Sequence, residues 1–204
     1  VDTDRLPNSP YSLVLVSLDT LRADRLGCYG YSRPTSPNLD RFAERATLFS
    51  RAYSTAPTTP ESHMSMFTGL YPDQHDVFPP DAVLAAEIPT LPELFQQAGY
   101  RTIGHTDGGF VSGRFGFARG FDVFDDRRII LWGGGDHTFA RGLASLRGLA
   151  PGEPFFLFVH TYAAHDPYNP PRQCRDRVKY QPIWSMALRY SLAGATDAAM
   201  ELHM

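Results

Sequence analysis

Two runs of consecutive apolar, β-branched and aromatic residues stand out along the chain, residues 12–18 (SLVLVSL) and 155–161 (FFLFVHT). A continuous run of this length, without polar alternation, reads as a strand buried on both faces. Between them the apolar period changes. In residues 36–46 (SPNLDRFAERA), Ser36 caps and Pro37 opens a helix, with Leu39, Phe42, Ala43 and Ala46 on one face. Residues 47–53 (TLFSRAY) read as a short strand. Residues 59–67 (TPESHMSMF) read as a helix with Thr59 as N-cap and Pro60 at its first position, closed by Gly69. Residues 91–98 predict another short helix stopped by Gly99, followed by a strand over 100–104. The Gly- and Phe-rich stretch 113–126 reads as irregular, 136–149 as a helix capped by Asp136, and helical periodicity returns from Ile183. Strands alternating with helices predict an α/β fold with a parallel or mixed sheet covered on both faces. Residues 11–204 read as one domain, and the polar stretch 1–10 as a linker entering it.

Composition narrows the function classes. Nineteen Lys and Arg against 22 Asp and Glu give a net charge of −3, which argues against a surface that coats nucleic acid. Apolar runs such as residues 13–16 and 155–159 are far too short for a transmembrane span. Cys28 and Cys174 are too few for a disulfide framework or a cysteine zinc site, although they could pair once. The chain starts at Val1 without an apolar leader, which fits a processed or truncated start and leaves the compartment open.

Candidate chemistry gathers at strand ends, where open α/β sheets bind their ligands. Asp19 ends the first strand; there a carboxylate holds a hard cation or caps a turn. Thr59 lies at a helix N-terminus among unpaired N–H groups that favour an oxyanion, although Thr is also a common cap. His63, four residues on, shares its helical face and could bond a phosphate or sulfate oxygen. His165 follows the second buried strand in a Pro-rich bend, suited either to protonating a leaving oxygen or to forming the turn with Asp166. His160 reads as structural. Asp136 and His137, and His105 and Asp107, are weaker candidates.

Five segments in order, SLDTLRADRLGCYGYSRPTSPNLDRFAERATLF, APTTPESHMSMFTGLYPDQHDV, GYRT, GFARGFDVFDD and PFFLFVHTYAAHDPYNPP, together resemble the sulfatase family of the alkaline phosphatase superfamily. The resemblance implies a three-layer α/β/α sandwich with a mostly parallel central sheet, a metal-assisted nucleophile and a small-molecule sulfate or phosphate ester as substrate. It implies Asp19 as metal ligand, Thr59 as metal-bound nucleophile, His63 as oxyanion contact and His165 as leaving-group or substrate contact. It implies a divalent cation, calcium in typical sulfatases and zinc or manganese in relatives with a Thr nucleophile.

The departures from the family pattern are specific. Where sulfatases carry Cys or Ser in C/S-x-P-x-R, converted to formylglycine, this chain has Thr59, Pro60, Glu61, Ser62 and His63. Thr20 stands in place of the second Asp, and Asp107 and Gly108 where the family has its GKWH segment. No S-D-H-G segment follows Pro171, so the resemblance implies a catalytic domain continuing past Met204. With Asp19 and Thr59 as its only oxygen donors, the site is expected to hold a metal weakly. Two alternatives accompany ester hydrolysis: a phosphoryl-group transferase on the same scaffold, and an inactive fragment.

Overall fold

The computed structural model describes residues 11–127, 135–166, 168 and 174. The helical reading after Ile183 and the linker reading of residues 1–10 lie outside the described residues. Among those described, two compact units are present. One comprises the strand ending before Asp19 together with Phe49–Ala164; the other includes Leu21–Leu48.

In the first unit, four strands form one parallel sheet: β1 (Leu13–Leu18), β2 (Arg101–Thr106), β3 (Val123–Asp125) and β4 (Phe155–Thr161), in the order β1-β4-β2-β3. Because all run the same way, Leu18, Thr106, Asp125 and Thr161 end on one edge. β4 is central and its side chains alternate between two cores. Phe156 and Phe158 pack on one face with Met64 and Phe67 of α2 (Thr59–Thr68) and with Phe95 of α4 (Leu91–Gln97). Leu157 and Val159 pack on the other with Phe139 and Leu146 of α5 (Gly135–Arg147). Helices on both faces of a parallel sheet give the expected α/β/α layering. Phe67 meets Phe158 edge to face at 4.9 Å, and Phe95 stacks on Phe156 at 4.6 Å.

Several local readings are corrected. β1 is a strand, but it has one neighbour, β4, among the described residues, and Leu13, Val14 and Val16 are exposed. Its apolar run records a surface that could be covered, not one that β4 alone covers. Residues 47–53 form no strand. The stretch read as irregular contains β3, since Val123 and Phe124 pair with Ile103 and Gly104. Gly104 is needed there: a Cβ would lie 2.6 Å from the Phe124 ring.

Helix starts shift by one residue in two places. Thr58, extended at φ −107°, is the N-cap of α2, so Thr59 is its first helical residue. Gly69 closes α2 in the left-handed region, as read. Asp136 lies inside α5 rather than capping it. α4 starts with a capping box, Thr90 N–H donating to Glu93 Oε2 at 2.8 Å and Glu93 N–H to Thr90 Oγ1 at 3.4 Å. Arg119 braces the loop before it, donating to the carbonyls of Ala85 and Ile88, each at 2.8 Å, and pairing with Glu93. α3 (Pro72–His75) is tied to α2 through the buried His75: Nδ1 accepts from Val77 N–H, leaving Nε2 to donate to the Glu61 carbonyl at 3.2 Å.

The second unit contains α1 (Pro37–Ala43), where the helix was expected. Ser36 makes no side-chain cap; its hydroxyl instead donates to Asp40 Oδ1, which also accepts from Cys28 N–H at 2.8 Å. Both cysteines are free thiols. No helix among the described residues is long and apolar enough to cross a membrane.

Two stability outcomes follow. Phe158→Ala removes a fully buried ring from the α2 side of the sheet and is expected to cost about 3–5 kcal/mol in denaturant unfolding. At the end of β3, the Arg127 guanidinium hydrogen-bonds Asp125 and Arg141 pairs with it at 2.8 Å, holding its carboxyl well below the usual carboxylate range. The depressed folded pKa stabilises the protein above the unfolded value, roughly pH 4, and the contribution fades as pH falls through the folded value. Asp125→Asn should therefore destabilise the protein at pH 7, with the gap to wild type narrowing below about pH 4 in chemical unfolding at each pH.

Candidate functional site

The β1–β4 register pairs Ser17 with His160 and Leu18 with Thr161, and the next N–H, from Asp19, donates to the Thr161 carbonyl at 3.0 Å. This last bond stops Asp19 swinging away where the strand ends. Its carboxylate then lies beside His160, whose Nε2 donates to Asp19 Oδ2 at 3.2 Å. Asp19 is 6% exposed and His160 fully buried.

α2 brings the other two groups. Thr59, half-buried in its first turn, brings its hydroxyl near enough to the Asp19 carboxylate to help lower its pKa. His63, one turn further in, sits edge-on to His160 with ring centroids 4.9 Å apart. Its Nδ1 meets the Thr59 carbonyl at 2.8 Å, and its Nε2 meets the Ser17 hydroxyl at 2.8 Å. A carbonyl can only accept, so Nδ1 carries the proton and in the neutral ring the lone pair is on Nε2.

The charges follow from these contacts. Burial alone would raise the Asp19 carboxyl, but chiefly the His160 hydrogen bond and charge hold it below its ordinary value. Burial, reinforced by the neighbouring His160, lowers His63 and favours its neutral form. Tyr162, whose ring stands against His160 at 4.6 Å, is pushed up to about 12, mainly by burial, and so stays a neutral phenol.

Asp19, His63 and His160 each offer one ligand atom, and these atoms lie within 4.8 Å of one another. Three buried donors so close, one of them an ionised carboxylate, suit a divalent cation. Sequence reasoning set His160 aside as structural because it lies within a strand end. Its partner there is fixed only by pairing β4 with β1, and no local signal marks it.

The remaining candidates separate. Asp107, at the end of β2, accepts from the hydroxyls of Thr138 and Thr161 and from Tyr162 N–H, and so anchors the end of β4 to α5. Thr20 lies at φ 58°, an unusual conformation for a β-branched residue, and its hydroxyl donates to the Ala164 carbonyl at 3.1 Å. His105 is buried toward α5 and meets Ser145 Oγ at 2.9 Å, whereas Asp136 and His137 are exposed. His165 belongs to the second unit, where its Nδ1 meets the Asp166 carbonyl at 2.8 Å.

Comparison with known proteins adds to this geometry. Human iduronate 2-sulfatase is 33% identical over 95 residues, which make up 45% of this chain and 17% of that protein. A solved complex of a protein with its substrate D-glucosamine-2-N,6-O-disulfate shares the fold at a TM-score of 0.65 and 22% identity, covering 76% of this chain and 35% of that one. The zinc complex of the C-terminal periplasmic domain of Escherichia coli EptC shares it at a TM-score of 0.63 and 22% identity, covering 81% and 48% respectively. The chain spans less than a third of the length of the curated relatives it matches. The family model for Sulfatase matches residues 12–201, and the chain therefore belongs to the sulfatase family of the alkaline phosphatase superfamily.

Proposed function

We propose that this chain carries the nucleophile and part of the metal site of a sulfate-ester hydrolase, with Thr59 as nucleophile and Asp19 as a metal-holding carboxylate. The observation that carries the reading is the convergence of Thr59 on the carboxyl edge of the parallel sheet, where its carbonyl holds His63, whose Nε2 meets Ser17 two residues before Asp19. The family and the sulfate-ester relatives support the same class of substrate. A bound divalent cation would supply charge stabilisation to the ester oxygens and acidity to a nearby hydroxyl.

The chain's own groups do the rest. Asp19 keeps the Thr59 hydroxyl oriented and draws on its proton as the oxygen attacks. A bond forms between Thr59 Oγ1 and sulfur while the bond from sulfur to the ester oxygen breaks. The leaving oxygen takes up a proton, and for that role the sequence motif rather than geometry nominates His165. Water then cleaves the Thr59 sulfate ester, releasing sulfate and restoring the hydroxyl. For the ester oxygens, the N-terminal end of α2 offers its unpaired N–H groups and partial positive charge. His63 is the motif's contact for such an oxygen; with Nδ1–H held by the Thr59 carbonyl, its Nε2 makes that contact only when it too carries a proton.

A phosphate ester is the second reading, favoured by Thr59 itself. Thr cannot give the formylglycine aldehyde formed from Cys or Ser, and direct attack by a hydroxyl suits phosphorus as well as sulfur.

Two measurements test these roles. With 4-nitrophenyl sulfate and 4-nitrophenyl phosphate as probes, Thr59→Ala in the full chain is expected to lower kcat by about 10³-fold or more, while Thr59→Ser retains part of it. Unchanged turnover in Thr59→Ala would sink the nucleophile assignment, and the faster probe decides between the two ester classes. His165→Asn is expected to slow alkyl esters by about 10²–10⁴-fold and nitrophenyl esters far less, because only an alkoxide needs protonation to leave. Equal losses on both would remove His165 as proton donor.

A further inference from the structure

We propose that His63 and His160 complete the cation site begun by Asp19, making it a centre of two imidazole nitrogens and one carboxylate oxygen that selects a zinc-like ion over calcium. The inference rests on the reading of Asp19 as a metal-holding carboxylate and deepens it by naming the other donors and the class of ion. The motif resemblance alone leaves calcium, zinc and manganese open, with His63 as an anion contact and no role for His160; as a ligand, His63 gives up that contact.

Donor chemistry carries the argument. Calcium takes about 6–8 oxygen ligands, whereas imidazole nitrogen suits zinc, copper, nickel and iron. Two of the three buried donors gathered here are imidazoles, and their ligand atoms and the Asp19 oxygen lie within 4.8 Å of one another. Two histidines and a carboxylate form a donor set used in catalytic zinc sites, which leave a position open for water or substrate. Thr59, whose carbonyl holds His63, is the group next to that position.

The ring atoms of His63 agree with this. A metal-bound His characteristically donates its second ring N–H to a carbonyl or carboxylate, which fixes tautomer and orientation. His63 has that arrangement: Nδ1–H is held by the Thr59 carbonyl, and Nε2 turns toward Ser17. An ion at Nε2 displaces only the Ser17 hydroxyl. His160 presents Nε2 to Asp19, while its Nδ1, fully buried, has no hydrogen-bond partner. A buried imidazole bonded at one nitrogen only is an unusual choice for a purely structural residue. Ligation at Nε2 would replace the proton between His160 and Asp19 by the ion and release that proton to solvent.

The test is metal binding to the full chain, followed by calorimetry with Zn²⁺, Mn²⁺ and Ca²⁺ and by the visible d–d absorption of Co²⁺. The expected result is Zn²⁺ bound at least about 100-fold tighter than Ca²⁺, and a Co²⁺ spectrum with nitrogen ligation. His160→Asn and His63→Asn should each weaken Zn²⁺ by about 10–100-fold or more and alter the Co²⁺ spectrum, while thermal unfolding of the metal-free proteins checks that both variants fold. Ca²⁺ bound more tightly than Zn²⁺, or Zn²⁺ affinity and Co²⁺ spectrum unchanged in folded His160→Asn, overturns the proposal. Asp19→Asn separates the two levels. If it abolishes binding while the His variants do not, the carboxylate reading stands and the histidine assignment falls; if it leaves binding intact, the carboxylate reading falls as well. Thr59→Ala should leave the Co²⁺ spectrum in place, so that failure of the nucleophile assignment is read independently.

Discussion

The parallel pairing of β1 with β4 is the constraint on which the site depends. Its register sets Ser17 against His160 and Leu18 against Thr161, and the Asp19 N–H extends the ladder one residue past the strand. A slip of one residue would turn His160 to the opposite face of the sheet and leave Asp19 without its partner. The register is held by packing. Phe156 and Phe158 must face α2 and α4 while Leu157 and Val159 face α5, so the two cores permit one setting of β4.

Given that setting, the chemistry at the carboxyl edge follows from a burial problem. An ionised carboxylate and two imidazoles within a few ångströms, nearly all out of water, are tolerable only when charge and hydrogen bonding compensate. Asp19 is held ionised chiefly by His160, and His63 is kept neutral by the same burial. Asp107 contributes at one remove, since its carboxylate fastens the turn after β4 and so steadies the chain just beyond His160. The family frame is thus filled with different side chains. Histidine stands where the motif has arginine, and the acidic position after Asp19 holds Thr20, whose hydroxyl donates to a carbonyl.

Much of this was legible in the sequence where local physics decides. Both long apolar runs contain strands, and the Pro-opened and Gly-closed segments are helices. The misreadings lie where a partner decides. Residues 47–53 have strand-like composition but no strand to pair with, and β3 forms because Gly104 lets the Phe124 ring come close. Thr59 differs from its reading by one position, because Thr58 can also adopt the extended conformation of a cap.

The sequence by itself determined the family, the α/β alternation and the positions of Asp19, Thr59 and His63, because motif spacing and helical period are properties of neighbouring residues. Only the tertiary structure decided that β1 pairs with β4, and that His160 therefore lies beside Asp19. Those contacts join residues some 140 positions apart in the chain, as in the 141-residue separation of Asp19 and His160. No local pattern encodes such a distance; strand order and register do.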